Sequence, residues 1–161
     1  MFKKLFSYIF IVLLFFLSYP TVIDLYHSYI VKDIDYANDH NRTLESGTVD
    51  CQSLFTQDIG RLISYTNDLG YKITFGEASR TKYQQRHNMI IGVSQTMNSN
   101  HLRRRAVDFN LYSSEGRYLD SKEDYRDIGD YWENLDPNNV WGGSWTSIND
   151  PYHFERRTCN K

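Results

Sequence analysis

Three side chains in the carboxyl-terminal half of the sequence have the types and spacing of a metal site. His101 and Asp108 are seven positions apart, and His153 follows three positions after Asp150. A catalytic zinc typically has three protein ligands and keeps a fourth position for water. We therefore predict that His101, Asp108 and His153 hold Zn²⁺, and that Asp150 is the acid-base group for the proton of the attacking water.

The residue types alone leave another interpretation open. A chain with 5 His and 20 acidic residues also contains His/Asp/His combinations by chance. The alternative is a strand histidine that is hydrogen-bonded to a neighbouring carboxylate, without any metal. In that case chelators would leave folding and activity unchanged.

The surrounding sequence contains a series of motifs. They are, in chain order, Glu77-Ala-Ser-Arg80-Thr81-Lys-Tyr-Gln84-Gln85, Ser99-x-His101-x(4)-Ala106-x-Asp108, Trp141-Gly-Gly-Ser-Trp145 and Asp150-Pro-Tyr-His153-Phe-Glu155. In type and order they resemble the zinc peptidases of peptidoglycan. That family includes D-alanyl-D-alanine carboxypeptidases and dipeptidases, and the L-alanyl-D-glutamate endopeptidases used as phage endolysins. The resemblance covers residues 52–157.

The resemblance implies roles for further residues. Arg80 would polarise the scissile carbonyl and stabilise the oxyanion, although it could instead be a helix-start arginine paired with Glu77. Ser99 and Gln84 would contact substrate, unless Ser99 only shapes the turn and Gln84 is an ordinary exposed side chain. Where the family has glycine, which permits a positive φ, this chain has Arg104.

The implied reaction is zinc-dependent hydrolysis of an amide in peptidoglycan stem peptides. The short form and the last two motifs favour an L-alanyl-D-glutamate endopeptidase of the endolysin type. A D-alanyl-D-alanine carboxypeptidase in wall remodelling and a non-catalytic, zinc-containing wall-binding module are the alternatives. The net charge of −2 does not indicate a positively charged surface for nucleic acid. We expect the protein to be a monomer.

The amino-terminal sequence is typical of a membrane anchor. Lys3 and Lys4 precede the low-polarity run 5–23, which is near the minimum length for a spanning helix and lacks a small-x-small cleavage site. We predict an uncleaved signal anchor over residues 1–24, a polar tether over 25–47 and a zinc peptidase domain over 48–161. The domain would then lie in the periplasm or otherwise outside the cytoplasmic membrane, with secretion after signal cleavage as the alternative.

The two cysteines lie near the two ends of the predicted domain. Outside the cytoplasm, Cys51 and Cys159 can persist as a disulfide. In the chain-entropy model a loop of about a hundred residues closed in this way contributes a few kcal/mol. We favour the disulfide over two free thiols.

Periodicity predicts an α+β domain. Helical patterns cover 53–69, 82–89 and 118–135, and alternating patterns predict strands over 71–75, 107–111 and 152–154. We expect a small, mostly antiparallel sheet with two to three covering helices. The resemblance implies the D-Ala-D-Ala metallopeptidase fold, which is hedgehog-like.

Overall fold

The computed structural model of the protein describes residues 46–159. The predicted anchor, residues 1–24, and nearly all of the predicted tether, residues 25–47, lie outside the described residues. Within the described range, none of the helices combines the length and the apolar character that crossing a bilayer requires.

Three α-helices and five strands make up this region. The helices are α1 (Ser46–Asp68), α2 (Lys82–Ile90) and α3 (Lys122–Leu135). The strands are β1 (Lys72–Phe75), β2 (Ala106–Tyr112), β3 (Tyr118–Leu119), β4 (Asn139–Trp141) and β5 (His153–Arg156). Every strand pair is antiparallel, in the order β1-β2-β5-β4, and β3 also pairs with β2. The predicted α+β class with a small antiparallel sheet is confirmed.

Capping explains where two of the helices begin. Thr81 caps α2 and Ser121 caps α3, each in a capping box in which the side chain three positions later bonds back to the cap residue. The predicted helix over 118–135 was too long at its start. Tyr118 and Leu119 instead form β3 opposite β2, because the Ser121 box fixes the first turn of α3 at Lys122.

Two further differences concern short elements that periodicity does not resolve. Neither a strand nor a helix was predicted around Trp141, but β4 ends at Trp141 and a 3₁₀ turn covers Gly142–Ser144. The last strand runs over His153–Arg156 rather than 152–154, and all four of its residues are buried. Burial on both faces removes the alternation by which such a strand is usually recognised.

The hydrophobic core lies between the sheet and two of the helices. Alternate residues of β2 supply Val107, Phe109 and Leu111, while Asp108 lies on the opposite face. The other core residues come from α1, α3 and the neighbouring strands: Phe55, Ile59, Leu62, Leu119, Tyr125, Ile128, Trp132, Trp141 and Phe154. The helices α1 and α3 therefore cover one face of the sheet, and the polar residues of β2 lie on the other.

A buried charged cluster, here called the Arg156 cluster, lies on the helix-covered side of β5. The Arg156 guanidinium donates to Asp58 of α1 at 2.9 Å, to Asn139 of β4 at 3.2 Å and to Asp136 after α3 at 2.7 Å. Its side chain is only 4% exposed. One residue thus connects α1, the end of α3, β4 and β5.

A disulfide joins the start of the domain to its end. Cys51 in α1 is bonded to Cys159, 108 residues later, with the two Cα atoms 5.4 Å apart. The Cys51 sulfur also accepts a hydrogen bond from Arg105, which precedes β2.

Candidate metal centre

Two of the predicted metal ligands face each other on neighbouring strands. In the antiparallel pairing of β2 with β5, Asp108 lies directly opposite His153. Directly opposed side chains on one face of a sheet have Cβ atoms only about 5 Å apart. The 45 residues that separate them in sequence therefore do not separate them in space.

The third predicted ligand, His101, comes from a short 3₁₀ helix over Asn100–Arg103. Ser99 caps this helix, and its hydroxyl accepts a hydrogen bond from the His101 backbone N–H. The helix ends at Arg104, which has φ 55° and is the sole non-glycine residue with positive φ in the described range. The left-handed conformation that glycine favours is thus present, and an arginine adopts it.

The three ligand atoms form a compact triangle. His101 Nε2 lies 3.2 Å from His153 Nδ1 and 3.3 Å from Asp108 Oδ1, and His153 Nδ1 lies 3.0 Å from Asp108 Oδ1. Ligand atoms about 2.0–2.1 Å from a tetrahedral zinc are separated by about 3.3 Å. The separations therefore fit a tetrahedral metal ion with three protein ligands.

The close contacts within the cluster also shift the pKa values of its members. Burial opposes the charged form of His153, yet hydrogen bonds to Asp108 and Glu155 raise its pKa to about 9. Burial also opposes ionisation of Asp108, but the two histidines hold its pKa well below the usual range. Without metal, an imidazolium proton satisfies the carboxylate, and a bound metal would displace that proton.

The candidate acid-base residue Asp150 is placed by a close backbone contact. Its N–H donates to Gly142 O at 3.4 Å, and its carbonyl accepts from the His153 N–H at 3.3 Å. A Cβ added at Gly142 would overlap the Asp150 carbonyl oxygen, so a residue without a side chain is required there. Burial, and repulsion from Asp108, raise the Asp150 pKa above its ordinary value.

Arg80 is fixed beside this cluster. Its backbone N–H donates to His101 O at 3.2 Å. Its guanidinium donates to both carboxylate oxygens of Glu77 and, at 2.6 Å, to Gln85 Oε1. The hydrogen bond with Glu77 raises the Arg80 pKa despite partial burial, so the cation is permanent. The pairing with Glu77 exists, and it leaves two of the five guanidinium N–H groups for another partner.

The two glutamines of α2 make different contacts. Gln84 Oε1 accepts from the Thr81 backbone N–H at 2.8 Å, so its side chain forms part of the α2 capping box. The fully buried Gln85 instead contacts Arg80 and donates to Ser94 Oγ at 2.7 Å. Helical spacing does not distinguish these two neighbouring residues. In the folded protein Gln85 is buried and Gln84 is exposed.

Two residues that the sequence analysis did not include among the site residues lie next to His153. Glu155 Oε2 lies 3.3 Å from His153 Nε2, and the Trp145 ring centroid lies 5.1 Å from that of His153. Glu155 is two positions after a predicted ligand on a strand, hence on the same face. That spacing was visible in the sequence and was the signal that could have identified it.

Known proteins resemble this chain in sequence. A family model described as D-alanyl-D-alanine carboxypeptidase matches residues 92–156. The L-alanyl-D-glutamate peptidase of Listeria phage A118 is 31% identical over 97 residues, which make up 59% of this chain and 34% of that protein. The chain therefore spans about a third of the length of the curated relative it matches. The predicted resemblance to this peptidase family is confirmed.

A solved structure shares the fold. The L-Ala D-Glu endopeptidase ChiX of Serratia marcescens superimposes with a TM-score of 0.56 at 22% identity, covering 69% of this chain and 86% of that one. At this identity the likeness concerns the arrangement of helices and strands. It places the present sheet and its helices in the fold of that endopeptidase.

Proposed function

We propose that this protein is a zinc-dependent peptidase that hydrolyses peptidoglycan stem peptides as an L-alanyl-D-glutamate endopeptidase. The observation that carries the proposal is the triangle of His101 Nε2, Asp108 Oδ1 and His153 Nδ1, with sides of 3.0–3.3 Å. Bound there, zinc would supply Lewis-acid polarisation of the scissile carbonyl and a water made acidic near neutral pH. The phage relative and the fold of the Serratia endopeptidase support the choice of bond.

Two side chains of the chain itself would handle charge during the reaction. Asp150, whose pKa is raised by burial, would take the proton of the attacking water and pass it to the leaving amine. The two remaining N–H groups of Arg80 would donate to the developing oxyanion. Because Glu77 and Gln85 already fix the guanidinium, little reorganisation would be needed.

Ser99 and Gln84 remain predictions as substrate contacts. In the structure both side chains cap helices, so their hydroxyl and amide oxygens are already hydrogen-bonded to backbone N–H groups. Any contact with substrate would use their remaining hydrogen-bonding capacity.

The second candidate is a D-alanyl-D-alanine carboxypeptidase, which the family description over residues 92–156 favours. We further propose that the domain acts outside the cytoplasm, anchored to the membrane through residues 5–23 or secreted after cleavage. The low-polarity amino-terminal run and the disulfide between Cys51 and Cys159 support this location.

The test is digestion of purified peptidoglycan by the full chain, with product masses identifying the new termini. We expect release of fragments with new L-alanine carboxyl ends, loss of release with chelator and recovery on addition of zinc. Asp150→Ala should lower turnover by about 10²–10⁴-fold, the usual contribution of a general acid-base group, while retaining zinc. Release of D-alanine alone would select the carboxypeptidase. Stoichiometric zinc binding without cleavage would select the wall-binding module.

A further inference from the structure

Glu155 is a buried carboxylate that the proposed reaction does not use. It lies on β5 two positions after His153, on the same face of the sheet, and is 9% exposed. Its Oε2 is 3.3 Å from His153 Nε2.

The contact with Glu155 determines which nitrogen of His153 is available to a metal. A neutral imidazole has one N–H and one lone pair. When the Nε2–H donates to the Glu155 carboxylate, the lone pair is on Nδ1, the atom that faces Asp108 Oδ1 and His101 Nε2. Carboxylates that accept from a ligand histidine in this way fix its tautomer and increase its basicity.

The other histidine has no such support. His101 Nδ1 is buried and has no hydrogen-bond partner in the described part of the chain. His101 is therefore held mainly through its backbone, in the 3₁₀ helix over Asn100–Arg103. Orientation of this ligand depends on what holds that helix against the sheet.

The same oxygen of Glu155 also holds this helix. Asn100, which immediately precedes His101, donates its side-chain amide to Glu155 Oε2 at 2.9 Å. The residue opposite Glu155 on β2 is the fully buried Ala106, whose methyl group is the smallest side chain after glycine's hydrogen. A larger residue opposite would compete with the carboxylate for the space between the two ligand segments.

We propose that Glu155 is the positioning residue of the metal centre. It fixes the tautomer and ring orientation of His153 and, through Asn100, holds the segment that presents His101. This inference rests on the metal site of the proposed function and adds to its three ligands a fourth side chain, which acts through two of them.

The test is the zinc affinity of the full chain, measured by competition with a chromophoric chelator. We expect Glu155→Ala to bind zinc about 10–100-fold more weakly than the wild type, as observed for such supporting carboxylates. Glu155→Gln keeps the shape and an acceptor oxygen but not the charge, so its affinity should lie between the two. This isosteric variant provides the comparison if Glu155→Ala does not fold.

Arg157→Ala is the matched control. Arg157 Nε contacts the other oxygen of the same carboxylate, Glu155 Oε1, at 3.3 Å, and its side chain is 56% exposed. An exposed ion pair of this kind contributes little, so zinc affinity should remain within about fivefold of the wild type. The proposal is overturned if Glu155→Gln and Glu155→Ala bind zinc as tightly as Arg157→Ala.

Nitrogen NMR of the zinc-loaded protein gives a readout that a purely structural role would not change. In the wild type we expect zinc on His153 Nδ1 and a slowly exchanging proton on Nε2. In Glu155→Ala that proton should exchange rapidly, and unchanged protection would contradict the proposal. A wild type that binds zinc but cleaves no peptidoglycan would refute the peptidase function, and the affinity series would still decide the role of Glu155.

Discussion

Strand β5 supplies residues to two polar clusters, one on each face of the sheet, and they are built differently. On the helix-covered side, Arg156 lies between the carboxylates of Asp58 and Asp136. On the opposite side, His153 lies among Asp108, His101 and Glu155. The first cluster pairs one cation with two anions at 2.7–2.9 Å. The second brings two histidines to within 3.2 Å of each other.

The Arg156 cluster has the composition of a structural ion cluster. The residues around His153 have the composition of a site that could bind a cation. Around Arg156 one cation lies between two carboxylates, so the charges are balanced without an added ion, although the buried Nε of Arg156 has no hydrogen-bond partner in the described residues. Around His153, two imidazoles and one carboxylate crowd together and one buried nitrogen has no partner in the described region. That arrangement is favourable only with an added cation, whether protons or a metal.

The largest effect on folding should come from removing one member of the Arg156 cluster. Asp58→Ala leaves the guanidinium buried without one of its two carboxylates, which typically costs about 3–5 kcal/mol in the free energy of unfolding. Denaturant titration of the metal-free protein measures it. Zinc affinity of the folded variant should be unchanged.

Arg61→Ala is the control for this variant, because Arg61 pairs with the same Asp58 from an exposed position, with 58% of its side chain accessible. Its removal should change the unfolding free energy by less than about 1 kcal/mol. Equal losses in the two variants would show that burial does not distinguish these pairs.

The next largest effect should be stabilisation of the fold by zinc bound to His101, Asp108 and His153. Free zinc at about 100 times its dissociation constant should raise the unfolding free energy by about 2.7 kcal/mol. Asp108→Ala should abolish this increase, because it removes one of the three ligand atoms. Unfolding curves with and without zinc test it, and a zinc-dependent increase that persists in Asp108→Ala would place the metal elsewhere.

A smaller effect should follow from the turn that presents His101. Arg104 has φ 55°, a conformation that costs a residue with a side chain about 1–2 kcal/mol. Arg104→Gly should therefore raise the unfolding free energy, by roughly 0.5–1 kcal/mol once the greater chain entropy of glycine is included. Arg103→Gly, one position earlier inside the 3₁₀ helix, should be destabilising instead. The reverse order would refute this account of the turn.

The smallest effect concerns acid sensitivity at the edge of the Arg156 cluster. Burial opposes ionisation of Asp136, but hydrogen bonds from the Asn138 backbone N–H and from Arg156 lower its pKa. A carboxyl group with a depressed folded pKa contributes stability above its unfolded value, about 3.9, which is lost as pH falls through the folded pKa. The stability of Asp136→Asn should hence fall less steeply below about pH 4 than that of the wild type. Parallel acid titrations would contradict this.

Much of the candidate site could be predicted from the sequence because its ligands are chemically distinctive. Histidine and aspartate, in motifs that resemble those of zinc peptidases, indicated a metal site before any fold was known. The position of Asp108 opposite His153 was not predicted, because it depends on the antiparallel register of β2 and β5. The start of α2 also depends on neighbouring residues only, because Thr81 and Gln84 form a capping box within four residues.

Other features depended on contacts between distant segments. Glu155 meets Asn100 across 55 residues, and Asp58 meets Arg156 across 98. Sequence periodicity does not show that Gln85 rather than Gln84 is buried. It also does not show that the small side chain of Ala106 lies opposite Glu155 on the next strand. These choices depend on packing, which is decided only when all the neighbours are present.

The sequence by itself determined the types of the ligand atoms, the alternation that puts Asp108 on the open face of β2, and the helix caps, because each depends on a few neighbouring residues. The tertiary structure decided the 3.0–3.3 Å separations of the candidate ligand atoms, the contact of Glu155 with His153 Nε2, and the division of β5 between two clusters. The physical reason is that hydrogen bonds and ion pairs act over about 3 Å. Only the folded chain brings residues far apart in sequence to that distance.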